Sequence, residues 1–180
     1  MNIDTSTTAR IVRMRLPDIT AALAILEENE LESWKYIDFV SEIHRNNPLL
    51  LVGKINSNVI SFCVARLIIP TVNISHNSTA EISSYNSTEL QIVGDCEIYN
   101  IAVKKDFQKQ GFGVTLLNQI VLIAKGCNIE SIWLEVRNSN EQAISFYKKN
   151  HFKKIYERKN FYSKPIENAT VMKRRLKPQS

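Results

Sequence analysis

The most constraining stretch of this sequence is Gln108-Lys109-Gln110-Gly111-Phe112-Gly113, which joins a β-rich run to a strongly helical one. The chain has only five glycines, so two at one junction mark a demand on the backbone. Glycine permits a sharp turn and the close approach of a ligand. A helix that starts there presents unpaired N–H groups and a partial positive charge, which together favour a phosphate. Spacing alone leaves two readings open, a tight strand-to-helix turn or a phosphate seat. A nucleotide-binding P-loop is excluded because no Gly-Lys-Ser/Thr follows. A dinucleotide fingerprint is excluded because Leu116 stands where the third glycine belongs.

Around this junction the chain alternates strand and helix signals. Ile11, Val12 and Met14 suggest a strand, and Asp18 is placed to cap a helix through Ile19, Ala22, Leu23 and Leu26. Ser33 is placed to cap a second, with Tyr36, Ile37, Val40 and Ile43 at helical spacing. Leu49–Gly53 and Val59–Ile69 form a hairpin that turns at Asn56, Ser57 and Asn58. After the strand Cys96–Val103 comes a helix from Gly111 to Lys125, with Leu116, Leu117, Ile120, Val121 and Ala124 on its apolar face. A strand Ser131–Val136, a short helix Asn140–Asn150 and strands near Phe152–Tyr162 and Ala169–Lys173 complete a mixed α/β order around one sheet. Between residues 71 and 89, 11 of 19 positions are Ser, Thr or Asn. The whole of 71–93 therefore reads as a surface loop or extended hairpin without assigned chemistry.

Length and composition bound the rest. A chain of 180 residues, 44% hydrophobic and 23% charged, makes one domain with a sizeable core, spanning residues 1–180. Its longest apolar run, Val59–Ile69, is broken by Arg66 and falls short of the ~20 residues a membrane span needs. Met1–Arg10 is polar and lacks the apolar centre of a secretory leader, so a cytoplasmic protein with no membrane partner is expected. On that expectation the Asn-x-Ser/Thr triplets at Asn73, Asn77, Asn86 and Asn168 are not glycosylation sites. Cys63, Cys96 and Cys127 are odd in number and set among apolar neighbours, which suggests buried reduced thiols. His44, His76 and His151 have no metal spacing, so no metal is expected. Trp34 and Trp133 read as core or groove walls. Net charge is +5, and a basic tail runs from Lys173 through residue 180. That tail is either a solvated end or a weak contact for ribosomal RNA phosphates.

The glycine loop resembles the Gln/Arg-x-x-Gly-x-Gly/Ala loop of the GNAT acetyltransferases. Its flanks strengthen the likeness: Tyr99-Asn100-Ile101-Ala102-Val103 before it, then Ile132-Trp133-Leu134-Glu135-Val136-Arg137, Asn138-Ser139-Asn140, Ala143-Ile144 and Phe146-Tyr147 after it. This order, with Arg158-Lys159-Asn160-Phe161-Tyr162, is similar to the ribosomal-protein-alanine N-acetyltransferase branch of that family. The likeness covers about residues 95–175 and is weaker before residue 70. Val114 departs from a position that is often basic. His151 stands where a glycine is usual, which leaves Asn150 as the expected left-handed residue.

The resemblance implies an α/β (α+β) GNAT fold, a mostly antiparallel, splayed sheet flanked by helices. It further implies that acetyl-CoA binds where two central strands diverge. Ile101, Ala102 and Val103 would contact it through their backbone. Lys109, Gln110, Gly111, Phe112, Gly113 and Val114 would hold its pyrophosphate, and Asn140 would touch it or simply cap the helix it begins. Strand alternation sets Glu135 with Trp133 and Arg137, where it can accept an amine proton or merely pair with Arg137. Tyr147 shares a helix face with Ala143 and Ile144; it is either a core residue or, on the resemblance, the acid for the leaving thiolate. The implied activity is acetylation of the N-terminal alanine of a small-subunit ribosomal protein. Glu27, Glu28, Glu30 and Glu32 would form an acidic rim for a basic peptide, or only a solvated helix end. The alternatives are acetylation of a small amine, and a non-catalytic ribosome-associated module.

Overall fold

The computed structural model describes residues 9–31, 34–70 and 93–176. The expected loop at 71–93 lies outside the described residues apart from its last position, and so do Ser33, Glu32 and His76.

Seven strands form one sheet: β1 (Arg10–Arg13), β2 (Pro48–Ile55), β3 (Asn58–Ile68), β4 (Gly94–Val103), β5 (Ile129–Arg137), β6 (Lys153–Ser163) and β7 (Ile166–Arg175). Their order is β1-β2-β3-β4-β5-β7-β6. Every pair is antiparallel except β4 with β5. The helices are α1 (Ile19–Glu28), α2 (Tyr36–Ile43), α3 (Phe112–Gly126) and α4 (Glu141–Lys149). This is the splayed, mostly antiparallel sheet expected from the resemblance.

Each face of the sheet carries its own core, because strands buried on both sides alternate side chains between two helical layers. On one face Leu116, Leu117, Ile120 and Ala124 of α3 pack with Cys63, Cys96, Ile98, Ile132 and Leu134. On the other, Ile19, Ala22, Ile25 and Leu26 of α1 meet Phe39 of α2 over Val52, Phe62, Val64 and Ala102. The helical periods seen in the sequence mark the buried stripes of α1 and α3, but on α2 Phe39 and Glu42 are buried while Tyr36 and Ile37, expected on its apolar face, are exposed.

Several local expectations are corrected. The Asp18 carboxylate does not cap α1. It accepts the Arg15 N–H at 3.0 Å and pairs with Lys54 of β2, so a short 3-10 turn at Leu16–Asp18 introduces the helix. At α2 the capping carboxylate is Asp38, which accepts the Lys35 N–H at 2.7 Å. Cys127 is exposed, whereas Cys63 and Cys96 are buried. His151 itself is left-handed at φ 67°, while Asn150 stays at φ −101°. The basic tail begins as strand: Lys173, Arg174 and Arg175 close β7, Leu176 is buried, and residues 177–180 lie outside the described residues.

Candidate active site

β4 and β5 pair in parallel only from Gly94–Ile98 against Ile129–Leu134. Beyond that point β4 keeps β3 and β5 keeps β7, so the two central strands part. A cavity of about 630 Å³ occupies this end of the sheet. Ile101, Ala102 and Val103 form one wall, the start of α3 another, and Asn140, Ala143, Phe146 and Tyr147 a third. The end of α1 closes it with Glu28, Asn29, Glu30 and Leu31.

The loop before α3 is shaped by backbone. Lys109 and Gly111 both take left-handed conformations, at φ 58° and φ 91°. The first α3 hydrogen bond runs from the Thr115 N–H to the Gly111 carbonyl at 3.0 Å. The N–H groups of Phe112, Gly113 and Val114 are therefore left without a helical acceptor. A Cβ on Gly111 would meet nothing within 4 Å, so its φ is the reason for glycine there. At Gly113 a Cβ would stand 3.5 Å from Phe146 and 3.7 Å from Val103, both of which line the cavity. The fold tolerates that contact; the space it would fill is the cavity's own.

Among the expected pyrophosphate residues, Lys109, Gly111, Gly113 and Val114 line the cavity. Gln110 donates instead to the Asp106 carbonyl at 2.9 Å, and the Phe112 ring packs against Phe107. The side chains of Gln110 and Phe112 are thus engaged elsewhere, leaving those two residues their backbone groups. The Val103 carbonyl accepts from Gln108 Nε2 at 3.1 Å and Asn29 Nδ2 at 3.2 Å, and Gln108 also donates to Asn29 Oδ1. Its two lone pairs are taken. The Lys104 N–H donates to Ile60 of β3, so alternation turns the Ala102 backbone toward Phe62 of β3 and leaves the Ile101 backbone and the Val103 N–H on the open edge. The Lys105 N–H reaches Glu28 Oε1 at 2.5 Å, so Glu28 of the expected acidic rim is engaged in docking the loop. Asn29 was not legible as a site residue, and Glu28 was expected at a peptide rim and not as a partner of the Lys105 N–H. The only signal for Asn29 is position, at the end of a helix facing the glycine loop.

Asn140 Oδ1 accepts the Ala143 N–H at 2.9 Å while the residue lines the cavity, so the capping role is realised. Tyr147 is 7% exposed yet also lines the cavity. Its ring meets Phe146 and Phe152 edge-on at 5.2 and 5.4 Å, and its phenol has no hydrogen-bond partner among the described residues. Burial, then the nearness of Cys63 and Tyr162, pushes that phenol above its ordinary range. It keeps its proton at neutral pH.

Glu135 stands at the first residue of the parted stretch of β5, half-buried, and does not line the cavity. Its partner is Arg158 of β6, at 2.5 Å, not Arg137. Arg137 instead clasps the β6–β7 turn: it pairs with Glu167, donates to the Lys164 carbonyl at 3.0 Å and lies 4.1 Å over the Tyr162 ring. Beside Glu135, a network joins β4 to α2. Tyr99 donates to Glu97 and accepts from Arg66 at 2.9 Å, and Arg66 pairs with the buried Glu42. Burial first, then the Glu97 carboxylate, lifts the Tyr99 phenol to about 12. Burial would raise the Glu42 carboxyl, but Arg66 and then Arg45 hold it below the usual range. Among the described residues no cluster of three His, Cys, Asp or Glu could hold a metal, and no helix is long and apolar enough to cross a membrane.

The pattern of the acetyltransferase (GNAT) family matches residues 16–152. The chain belongs to the GNAT family. Within that family it is 38% identical over 84 residues to the [ribosomal protein bS18]-alanine N-acetyltransferase of Haemophilus influenzae, covering 45% of this chain and 57% of that one. The chain thus spans little more than half of that relative. It is 28% identical over 163 residues, 90% of each chain, to an N-alpha-acetyltransferase of Saccharolobus solfataricus. Among solved structures, the ribosomal-protein-S18-alanine N-acetyltransferase of Escherichia coli superposes with a TM-score of 0.73 at 24% identity, over 96% of both chains. That likeness supports the GNAT fold.

Proposed function

We propose that this GNAT protein transfers acetyl from acetyl-CoA to the N-terminal amine of a protein, and that its acceptor is the N-terminal alanine of a small-subunit ribosomal protein. The observation that carries the reading is the parting of β4 from β5. One cavity there joins the glycine loop, the open edge at Ile101 and Val103 and the Tyr147 phenol, with Glu135 at the start of the parted stretch of β5. The names of the Haemophilus and Saccharolobus relatives support the acceptor class.

The site fits acetyl-CoA. The unused N–H groups of Phe112, Gly113 and Val114, at the positive end of a 15-residue helix, suit a pyrophosphate. Val114 gives no cation, so Lys109 and the backbone carry that role. When bound, the co-substrate supplies an acetyl thioester. Ile101 and the Val103 N–H offer backbone groups along the open strand edge to hold the pantetheine arm and polarise the carbonyl, while Ala102 contributes only its side chain to the wall. The Glu135 carboxylate, one oxygen of which is held by Arg158 and which stands back from the cavity lining, accepts the amine proton through water. The Tyr147 hydroxyl, kept protonated by burial, donates a proton into the cavity.

An α-amine suits a single carboxylate. With a pKa near 8, about a tenth of it is neutral at pH 7, against roughly 0.04% of a lysine amine. Glu30 lines the cavity at its α1 end and leaves an acidic group at the rim. A thiol-release assay that compares an alanine-starting basic peptide with small polyamines tests the proposal. Turnover on the peptide is expected; turnover confined to the polyamines favours the small-amine activity, and none on either favours the non-catalytic module.

A further inference from the structure

β7 lies between β5 and β6, so a β6 side chain must cross a whole strand to reach β5. Two strand spacings are about 10 Å, a span that only long side chains meeting from both ends can bridge. Arg158 and Glu135 do so. Arg158 stands opposite Ala169 of β7 and Glu135 opposite Val171, on one face of the sheet. Arg137 of β5 stands opposite the same Ala169 from the other side. Two arginines thus flank one small, fully buried residue, and an alanine there leaves the path over β7 low.

The two arginines are engaged differently. Arg137 is taken up by the β6–β7 turn, through Glu167, the Lys164 carbonyl and the Tyr162 ring. Arg158 turns toward β5. Its guanidinium lies 4.3 Å over the Phe161 ring, which backs it, and its Nη1 donates to Glu135 Oε1 at 2.5 Å. Glu97 of β4 is a second acidic neighbour, but the Tyr99 hydroxyl already donates to that carboxylate.

Glu135 Oε2 has no hydrogen-bond partner among the described residues, so one oxygen is fixed and the other open. An ion pair with half of its arginine side chain in solvent adds little to stability. What this pair supplies is direction. Glu135 has no cavity wall to lean on, and the last torsion of an untethered glutamate is broad. A guanidinium backed by a ring and reaching from a neighbouring strand narrows it.

We propose that Arg158 is a positioning residue for the proton transfer: by crossing β7 to hold Glu135 Oε1, it turns Oε2 toward the water that carries the amine proton. The inference rests on the acetyl-transfer reading and adds to it a residue that acts only through Glu135.

The test is a double-mutant cycle of the full chain on an alanine-starting peptide, reading kcat, the Michaelis constants and melting temperature. Glu135→Gln should lower kcat by about 10²-fold or more. Arg158→Met, which keeps the length and removes the charge, should lower kcat at least about fivefold. Melting temperature and the Michaelis constant for acetyl-CoA should stay in place. In the Glu135→Gln background the same change should do almost nothing, because groups that act as a unit are not additive. Arg158→Lys, which keeps the charge and a donor, should recover most of the loss. Lys153→Met removes another exposed β6 cation from the same face, away from Glu135, and should leave kcat unchanged. The proposal alone is overturned if Glu135→Gln lowers kcat and Arg158→Met does not, or if Arg158→Met costs as much in the Glu135→Gln background. It also falls if Arg158→Lys recovers nothing, or if Lys153→Met costs as much as Arg158→Met. A wild-type chain that acetylates no α-amine, or a Glu135→Gln variant as fast as wild type, overturns the acetyl-transfer reading of Glu135 and the proposal with it.

Discussion

At Tyr147 one side chain stands in both the core and the cavity, and a single oxygen separates its two roles. Tyr147→Phe keeps the packing against Phe146 and Phe152 and removes only the proton donor. General-acid help is worth about 10²–10⁴ in rate. Turnover should fall within that range while melting temperature moves little; near-normal turnover would leave Tyr147 a packing residue. The two glycines separate in a similar way. Gly111→Val forces a β-branched residue to φ 91°, a strain of about 1–3 kcal/mol, so it should lower both stability and acetyl-CoA affinity. Gly113→Val puts its side chain into the cavity, so calorimetry should show lost affinity with the smaller loss of stability. Lys109→Ala should cost less affinity than either, because the donors are mainly backbone. An unchanged dissociation constant for Gly113→Val, in a folded protein, would reject the phosphate seat.

Among the elements, α3, α4, β4 and β5 were legible in the sequence because their periods are strong and their burial is local. Gly111–Lys125 and Asn140–Asn150 differ from the observed helices by one residue at each end. What stayed hidden depends on partners distant in the chain. Asp18 reads as a helix cap, but Lys54, 36 residues on, takes its carboxylate. The alternative role for Glu135, a pair with Arg137 on a shared face, fails because the sheet order β5-β7-β6 brings Arg158 over it instead. Arg137 instead binds the β6–β7 turn to the loop before α4, through Glu167 and the Ser139 N–H. That clasp belongs to the elements rather than to the chemistry. Arg137→Gln should speed hydrogen exchange around residues 162–168 and raise the peptide Michaelis constant, with acetyl-CoA affinity intact. Unchanged exchange there would show the turn to be held by β6–β7 pairing alone.

For the whole molecule, two cores on opposite faces of one sheet leave a gap at the end of the central strands where β4 and β5 part. The buried groups set how that scaffold responds to pH. Burial raises Cys63 well above 9 and Cys96 to about 12, and Tyr99 rises from 10 to about 12. Each raised group adds stability that is complete below its unfolded pKa and disappears as pH climbs through its folded one. Melting temperature should therefore fall steadily between about pH 9 and 12, and Cys96→Ala should shallow that fall even if it lowers the plateau. Function at this scale turns on which nitrogen the gap admits. The most direct measurement is fragment mass spectrometry of a basic, lysine-containing peptide that starts with alanine, incubated with the protein and acetyl-CoA beside the same peptide blocked at its N-terminus. The predicted result is one acetyl group on the alanine α-nitrogen of the free peptide and almost none on the blocked one. Equal acetylation of the two, on lysine, would contradict N-terminal transfer.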